Sequence, residues 1–325
     1  MVPSYGRKPQ SVRAPMNHQP HTQMAGKPGV ASDSAIQLRS PAKINVFLEV
    51  HGVRGDGFHE LETVMLRTSL HDVLRFEATT SEDVTLRLAD YSSPTLAEVF
   101  PLDGSNLILR AAHALRDHTQ TRQGAAITVN KRIPAEAGLA GGSSNAATTL
   151  LGLNRLWGLN LPKQTLHDIA ALLGSDINFF VEDCCAAVCS GRGERVVPIQ
   201  PSGCFHFVAV RPTSGNSTPE VFRQLSIPGI AERRDVRRAV AAVQSGSIAT
   251  LQDAAFNRLT PAAMQLNPQM AELMLAMGQI TERTVFMSGS GSTCFVIARN
   301  AREAGRLKAR LQHLNCRWLP AFKVQ

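Results

Sequence analysis

Midway along the chain stands the run Pro134-Ala135-Glu136-Ala137-Gly138-Leu139-Ala140-Gly141-Gly142-Ser143-Ser144-Asn145-Ala146-Ala147. Its small side chains let backbone N–H groups come close to an anion, and its glycines reach conformations other residues avoid. The run passes straight into a helical pattern, so unpaired N–H groups and the positive end of a helix dipole favour a phosphate at the helix start. Ser143 or Ser144 adds a hydroxyl suited to a phosphate oxygen or to Mg2+. The bland alternative is a glycine-rich turn with Ser144 as the helix cap.

The run also excludes chemistries. It is not the G-x-x-x-x-G-K-[ST] of a P-loop, and no G-x-G-x-x-G dinucleotide fingerprint occurs. No H-R-D or D-F-G set is present, which excludes a protein kinase. His59-Glu60 is followed by Thr63 where zinc chemistry of the H-E-x-x-H type needs a second histidine.

Around this loop the pattern predicts strands at Gln37–Arg39, Asn45–Val50, Glu62–Leu66, Val73–Ala78 and Val84–Leu88. Ile108, Ala111, Ala112 and Leu115 predict a helix over Asn106–His118. A strand at Ala126–Val129 feeds Lys131 into the loop, and helices Ser144–Leu156 and Lys163–Leu173 follow, the second ended by Gly174. Strands at Ala186–Cys189 and Arg195–Ile199 flank Gly191-Arg192-Gly193, and Phe205–Val210, Thr284–Met287 and Thr293–Ala298 complete the set. Strands and helices mix without regular alternation, which favours α+β over a doubly wound sheet. At 325 residues the chain has room for two domains.

Residues 1–35 hold five of the eighteen prolines and no apolar periodicity, so they read as a disordered extension, with Met16 and Met24 as later translation starts. A transit peptide, and hence an organelle location, is the rival reading. The apolar runs are short, like Cys204–Val210, and no membrane span is expected. Six cysteines with no signal-peptide pattern point to reduced thiols in a cytoplasmic protein; Cys184, Cys185 and Cys189 lack zinc-site spacing, so no resident metal is expected. The net charge of +8 raises nucleic acid as a partner, but the extension carries four basic residues and one acid, leaving +5 for the rest. Two Tyr and two Trp are a thin supply of stacking platforms, and an anionic small molecule explains the surplus as well.

Pro134–Ala147 closely resembles the second motif of the GHMP kinase superfamily. Ser40-Pro41-Ala42-Lys43-Ile44-Asn45 resembles its first motif and Met287-Ser288-Gly289-Ser290-Gly291-Ser292-Thr293 its third, in the right order. Further stretches are similar to the branch whose substrate is a cytidine diphosphate sugar alcohol. These are Gly52-Val53-Arg54-Gly55-Asp56-Gly57-Phe58-His59-Glu60-Leu61, Ser105-Asn106-Leu107-Ile108, Gly174-Ser175-Asp176-Ile177-Asn178-Phe179-Phe180 and Ser217-Thr218-Pro219-Glu220-Val221-Phe222. The resemblance covers residues 37–320.

The resemblance implies a two-domain α+β GHMP kinase fold, with an ATP-binding domain at 36–200 and a ferredoxin-like α+β domain at 201–325. It implies transfer of the γ-phosphoryl of ATP, carried as its Mg2+ complex, to a hydroxyl of the sugar alcohol. Asp176 matches the catalytic base and Lys43 the lysine that neutralises charge on the phosphoryl oxygens. Read locally, Asp176 is as well a helix cap and Lys43 a surface lysine. Asn106 and Lys131 match positions near adenine and ribose, and Pro134 through Asn145 surround the phosphates. Phe58 and Phe222 match rings that stack on cytosine, His59 the group that reads its edge, and Asn45 and Thr218 further cytidine contacts. Phe58 stands where the family often has Tyr, Glu136 brings a carboxylate where a small residue is common, and Ala137 and Ala140 replace glycines of many relatives. Weaker or altered nucleotide contacts are the expected result. A monomer or homodimer is expected, with no nucleic-acid or membrane partner; the runner-up is another GHMP kinase, such as one acting on mevalonate phosphate.

Overall fold

The computed structural model describes residues 35–92, 100–227, 229–316 and 320–324, so the expected extension lies outside it save for residue 35. Two long strands, β1 (Ile36–Val53) and β2 (His59–Thr79), pair antiparallel as the spine of the first sheet. Sequence patterning split each of them in two. In β1 the register shifts between Pro41 and Lys43, Asn45 and Phe47, and Val50 and Gly52, and each bulge resets the inside–outside alternation. In β2 the polar stretch Arg67-Thr68-Ser69-Leu70-His71-Asp72 interrupts the apolar pattern while the backbone stays extended.

The first half of β2 pairs with β5 (Ala186–Gly191) and the second half with β4 (Gly124–Asn130). β3 (Val84–Leu88) joins β4, β6 (Arg195–Ile199) joins β5, and the two-residue β8 (Phe256–Asn257) joins β1, giving a seven-stranded mixed sheet among the described residues. Helices α1 (Leu107–Thr119), α2 (Gly141–Leu156) and α3 (Lys163–Leu173) follow the predicted order, and a further short helix, α4 (Ile177–Glu182), comes after them. Leu74, Phe76, Ile127 and Val129 of the sheet share a core with Ile108, Leu115, Leu150 and Leu153 of α1 and α2. Burying each such side chain contributes about 1.5–3 kcal/mol. The approach is close: a Cβ on Gly152 would stand 2.6 Å from the Phe76 ring.

The second sheet, antiparallel throughout, has the order β11 (Ala321–Val324), β7 (Phe205–Val210), β10 (Cys294–Ala298), β9 (Phe286–Met287). Period-two alternation gives it two apolar faces. Phe205, Phe207, Phe295 and Ile297 pack with Ala42, Ile44 and Phe47 of β1 and with α6 (Arg237–Ser245) and α7 (Ile248–Ala254), so the two sheets share a core. Val208, Val210 and Val296 face α8 (Thr260–Leu266), α9 (Pro268–Thr281) and α10 (Ala301–Leu311). The architecture is the expected mixed α+β; the short β8 and β11 were not anticipated.

The floor beneath the glycine-rich loop is a buried acid. Asp72 Oδ2 accepts from Lys131 Nζ at 2.5 Å and Asn145 Nδ2 at 3.0 Å, while Oδ1 accepts from the N–H groups of Arg132 at 2.7 Å and Ile133 at 2.8 Å. A fully buried carboxylate is tolerable only when paired and hydrogen-bonded, and this one ties β2 to the β4 exit and to α2. Asp72→Ala leaves the Lys131 ammonium buried and alone. Urea denaturation is expected to show a loss of about 3–5 kcal/mol; a loss of about 0.5 kcal/mol, typical of a surface change, would contradict the assignment.

Candidate active site

Lys43 sits between two bulges of β1, and it is buried, not at the surface as its local reading allowed. A bulge turns neighbouring side chains away from the regular pleat, and here it delivers the ammonium to three acceptors. Lys43 Nζ donates to Asn45 Oδ1 at 2.7 Å and to the Gly138 carbonyl at 3.0 Å, and lies 3.5 Å from Asp176 Oδ2. Asn45 is itself held, since its Nδ2 donates to Thr63 Oγ1 at 2.8 Å and that hydroxyl donates to the Phe47 carbonyl at 2.5 Å. Asp176 stands at the start of α4 but makes no side-chain capping bond. Its carboxylate, 30% exposed, lines the cavity instead.

Gly138 has φ 69°, and a Cβ there would stand 2.0 Å from the Ser288 carbonyl oxygen. The Gly138 carbonyl also accepts from Ser288 Oγ at 2.9 Å, and Ser288 Oγ accepts from the Asn45 N–H at 3.2 Å. The third glycine-rich segment therefore lies directly on the second. Asn257 Nδ2 holds it through the carbonyls of Met287 and Gly289, both at 2.8 Å, and Asn216 Nδ2 through that of Ser290 at 2.9 Å. Neither asparagine carries a motif; what marks them is burial of the amide, which sequence does not display.

The helix behind the loop begins at Gly141, earlier than expected, with Ala140 at the capping position at φ 53°. Ser144 is therefore not the cap. It is fully buried one turn in, accepting from Ser40 Oγ at 2.8 Å, and Asn145 Nδ2 donates to the same Ser40 hydroxyl at 2.8 Å. Lys131 is committed to Asp72, and Asn106 caps α1 by accepting from the Ile108 N–H at 2.9 Å. Together with Leu139, these residues lie behind the cavity wall.

The other candidates line one cavity of about 810 Å3. Pro134, Ala135, Glu136, Ala137, Gly138, Ala140, Gly141, Gly142 and Ser143 form one end, Lys43, Asn45 and Asp176 the middle, and Phe58, His59, Thr218 and Phe222 the other end. Phe222 belongs to α5 (Thr218–Arg223), and its ring centroid is 4.8 Å from that of His59. Thr218 Oγ1 is 2.7 Å from Ser290 Oγ. Burial pushes the His59 imidazole below its ordinary value, so at neutral pH it is uncharged and offers one donor and one acceptor. Glu136 Oε2 lies 3.2 Å from where a Cβ on Gly215 would stand, so this carboxylate reaches towards the Gly215 backbone. Arg192, named in the sequence only as part of a turn, also lines the cavity.

A cavity with a glycine-rich loop at one end, a paired lysine and aspartate in the middle and aromatic rings opposite defines a small-molecule phosphotransferase. The chain matches the family models for the GHMP kinases N terminal domain over residues 106–191 and the GHMP kinases C terminal domain over residues 239–315. It is 35% identical over 290 residues to the 4-diphosphocytidyl-2-C-methyl-D-erythritol kinase of Alkaliphilus metalliredigens, covering 89% of this chain and 96% of that one. With the Bacillus subtilis enzyme of the same name it shares 37% over 270 residues, 83% of this chain and 90% of the relative. A crystal structure of 4-(cytidine 5'-diphospho)-2C-methyl-D-erythritol kinase superposes with a TM-score of 0.71 at 30% identity, over 88% of this chain and 99% of that one. The chain belongs to the 4-diphosphocytidyl-2-C-methyl-D-erythritol kinase family of GHMP kinases.

Gly138→Ala forces a side chain into the Ser288 backbone at a strained φ. A stability loss of about 1–3 kcal/mol with collapse of ATP turnover is expected in thermal melts and kinetic assays. Full activity in that variant would show that the two glycine-rich segments need not touch.

Proposed function

We propose that the chain phosphorylates the 2-hydroxyl of 4-diphosphocytidyl-2-C-methyl-D-erythritol with ATP, giving the 2-phosphate and ADP, in the non-mevalonate isoprenoid precursor pathway. The observation that carries this reading is the 3.5 Å pairing of Lys43 and Asp176 between the glycine-rich loop and the aromatic end of one cavity. ATP phosphates lie along the loop from Pro134 to Ser143, where small residues expose backbone N–H groups and the α2 dipole points at the anion. The cytosine stacks on Phe58, with Phe222 beside it, while the neutral His59 reads its edge and Asn45 and Thr218 support the cytidine part.

In this reading the acceptor hydroxyl lies beside Asp176. As its oxygen attacks the γ-phosphorus and the bond to the β-phosphate oxygen breaks, the proton passes to the Asp176 carboxylate. The Lys43 ammonium favours the forming alkoxide and neutralises charge on the transferring oxygens. Asn45 and the Gly138 carbonyl keep that ammonium aimed. Ser143 and Glu136, the oxygen-bearing side chains of the loop on the cavity, would hold a Mg2+ carried by the nucleotide, which would shield its phosphate charge; Ser144 is turned into the core.

In the same reading the boundary between the domains falls at residues 200–201, between β6 and β7. The enzyme works in the cytoplasm as a monomer or homodimer, and its basic surplus serves two polyphosphate substrates without nucleic acid. Among the described residues no helix is long and apolar enough to cross a membrane.

Asp176→Asn keeps the shape of the side chain and removes the base. Its kcat is expected to fall about 10^2- to 10^4-fold while ATP still binds by titration calorimetry; unchanged turnover would remove Asp176 from the role. The downward shift of His59 sets a pH dependence. Protonation below about pH 6.5 turns its acceptor into a second donor. The KM for the cytidine substrate should therefore stay flat from alkaline pH to that value and rise below it, and His59→Phe should abolish the rise. A KM that falls on acidification would contradict a neutral reader.

A further inference from the structure

Phe58 stands on the turn between β1 and β2, 48% exposed, with no phenolic hydroxyl to tether it. A ring in that position has little packing of its own to fix its orientation. What it does have is a cation: the guanidinium carbon of Arg192 lies 5.0 Å from its centroid. Arg192 occupies the β5–β6 turn between Gly191 at φ 75° and Gly193 at φ 118°, neighbours that add no side chain beside it.

The guanidinium is fixed from behind. One Arg192 Nη donates to the Ala171 carbonyl at 2.5 Å, and Nε lies 3.9 Å from Glu194 Oε2, which also accepts the Arg192 backbone N–H at 2.7 Å. The other oxygen of Glu194 is 3.8 Å from Arg54, which pairs with Asp56 at 3.2 Å and Glu60 at 3.3 Å. A relay of alternating charge thus joins both sides of the Phe58 turn to the β5–β6 turn. That turn also borders the catalytic pair, since a Cβ on Gly193 would stand 3.7 Å from Asp176 Oδ1.

We infer that Arg192 is a positioning residue for cytidine recognition: it holds the Phe58 ring by a cation–π contact and sets the distance of the stacked pyrimidine from Asp176. The inference rests on the reading of Phe58 as the cytosine platform. Glu194 and the Ala171 carbonyl hold the guanidinium in place beside the ring, and the forked donors that make these contacts are ones a lysine ammonium reproduces only in part.

A double-mutant cycle on the full chain tests it, with Phe58→Ala, Arg192→Ala, Arg192→Lys and the double alanine variant. The readouts are KM for 4-diphosphocytidyl-2-C-methyl-D-erythritol, KM for ATP and kcat. Arg192→Ala should raise the KM for the cytidine substrate about 2- to 30-fold with the ATP KM unmoved, and Arg192→Lys should restore part of the loss. The double variant should be no worse than Phe58→Ala alone, because Arg192 acts through that ring. Independent, multiplicative effects in the double variant, or a change in the ATP KM, would overturn the inference while leaving the platform intact. No effect of Phe58→Ala would instead remove the platform itself, and the role of Arg192 with it.

Discussion

Three distant parts of the chain meet at the carbonyl oxygen of Gly138. It accepts from the Lys43 ammonium at 3.0 Å and from the Ser288 hydroxyl at 2.9 Å, so β1, the glycine-rich loop and the segment before β10 are joined at one atom. The junction depends on backbone geometry, because only a residue without Cβ fits against the Ser288 carbonyl at a φ of 69°. It also depends on charge. A buried ammonium demands acceptors, and the carbonyl, Asn45 Oδ1 and Asp176 supply them.

The remaining polar scaffold serves this junction from two sides. Below the loop, the Asp72 carboxylate collects Lys131, Asn145 and two backbone N–H groups, fixing where β4 ends and α2 begins. Behind the third segment, Asn216 and Asn257 occupy its carbonyls. One apolar core shared by the two sheets packs the elements that carry these anchors together. A loop braced in this way holds its N–H groups in place, which, on the proposed reading that it carries the ATP phosphates, is the preorganisation that electrostatic catalysis requires.

Much of this was legible beforehand. The boundaries of β3, β6, β7 and α3 coincide with those expected from apolar runs and from Gly174 as a stop. Lys43, Asp176, Phe58, His59, Thr218 and Phe222 share one cavity, as the motif order implied. The losses have physical causes. Bulges hid the continuity of β1, since period-two patterning fails wherever a residue is inserted. Lys131, Asn106 and Ser144, which the family pattern sets near nucleotide, have polar atoms that meet Asp72, the α1 N-terminus and Ser40, contacts the motifs alone do not record. The pairings of Lys131 with Asp72 and of Ser144 with Ser40 join residues far apart in the chain, and no local spacing records them.

A crystal structure of the chain with a non-hydrolysable ATP analogue and 4-diphosphocytidyl-2-C-methyl-D-erythritol tests the catalytic arrangement most directly. The 2-hydroxyl should lie about 2.6–3.2 Å from an Asp176 oxygen, with the γ-phosphate beside Lys43 and the cytosine on Phe58. A hydroxyl facing away from Asp176 with the nucleotide correctly seated on the loop would contradict it.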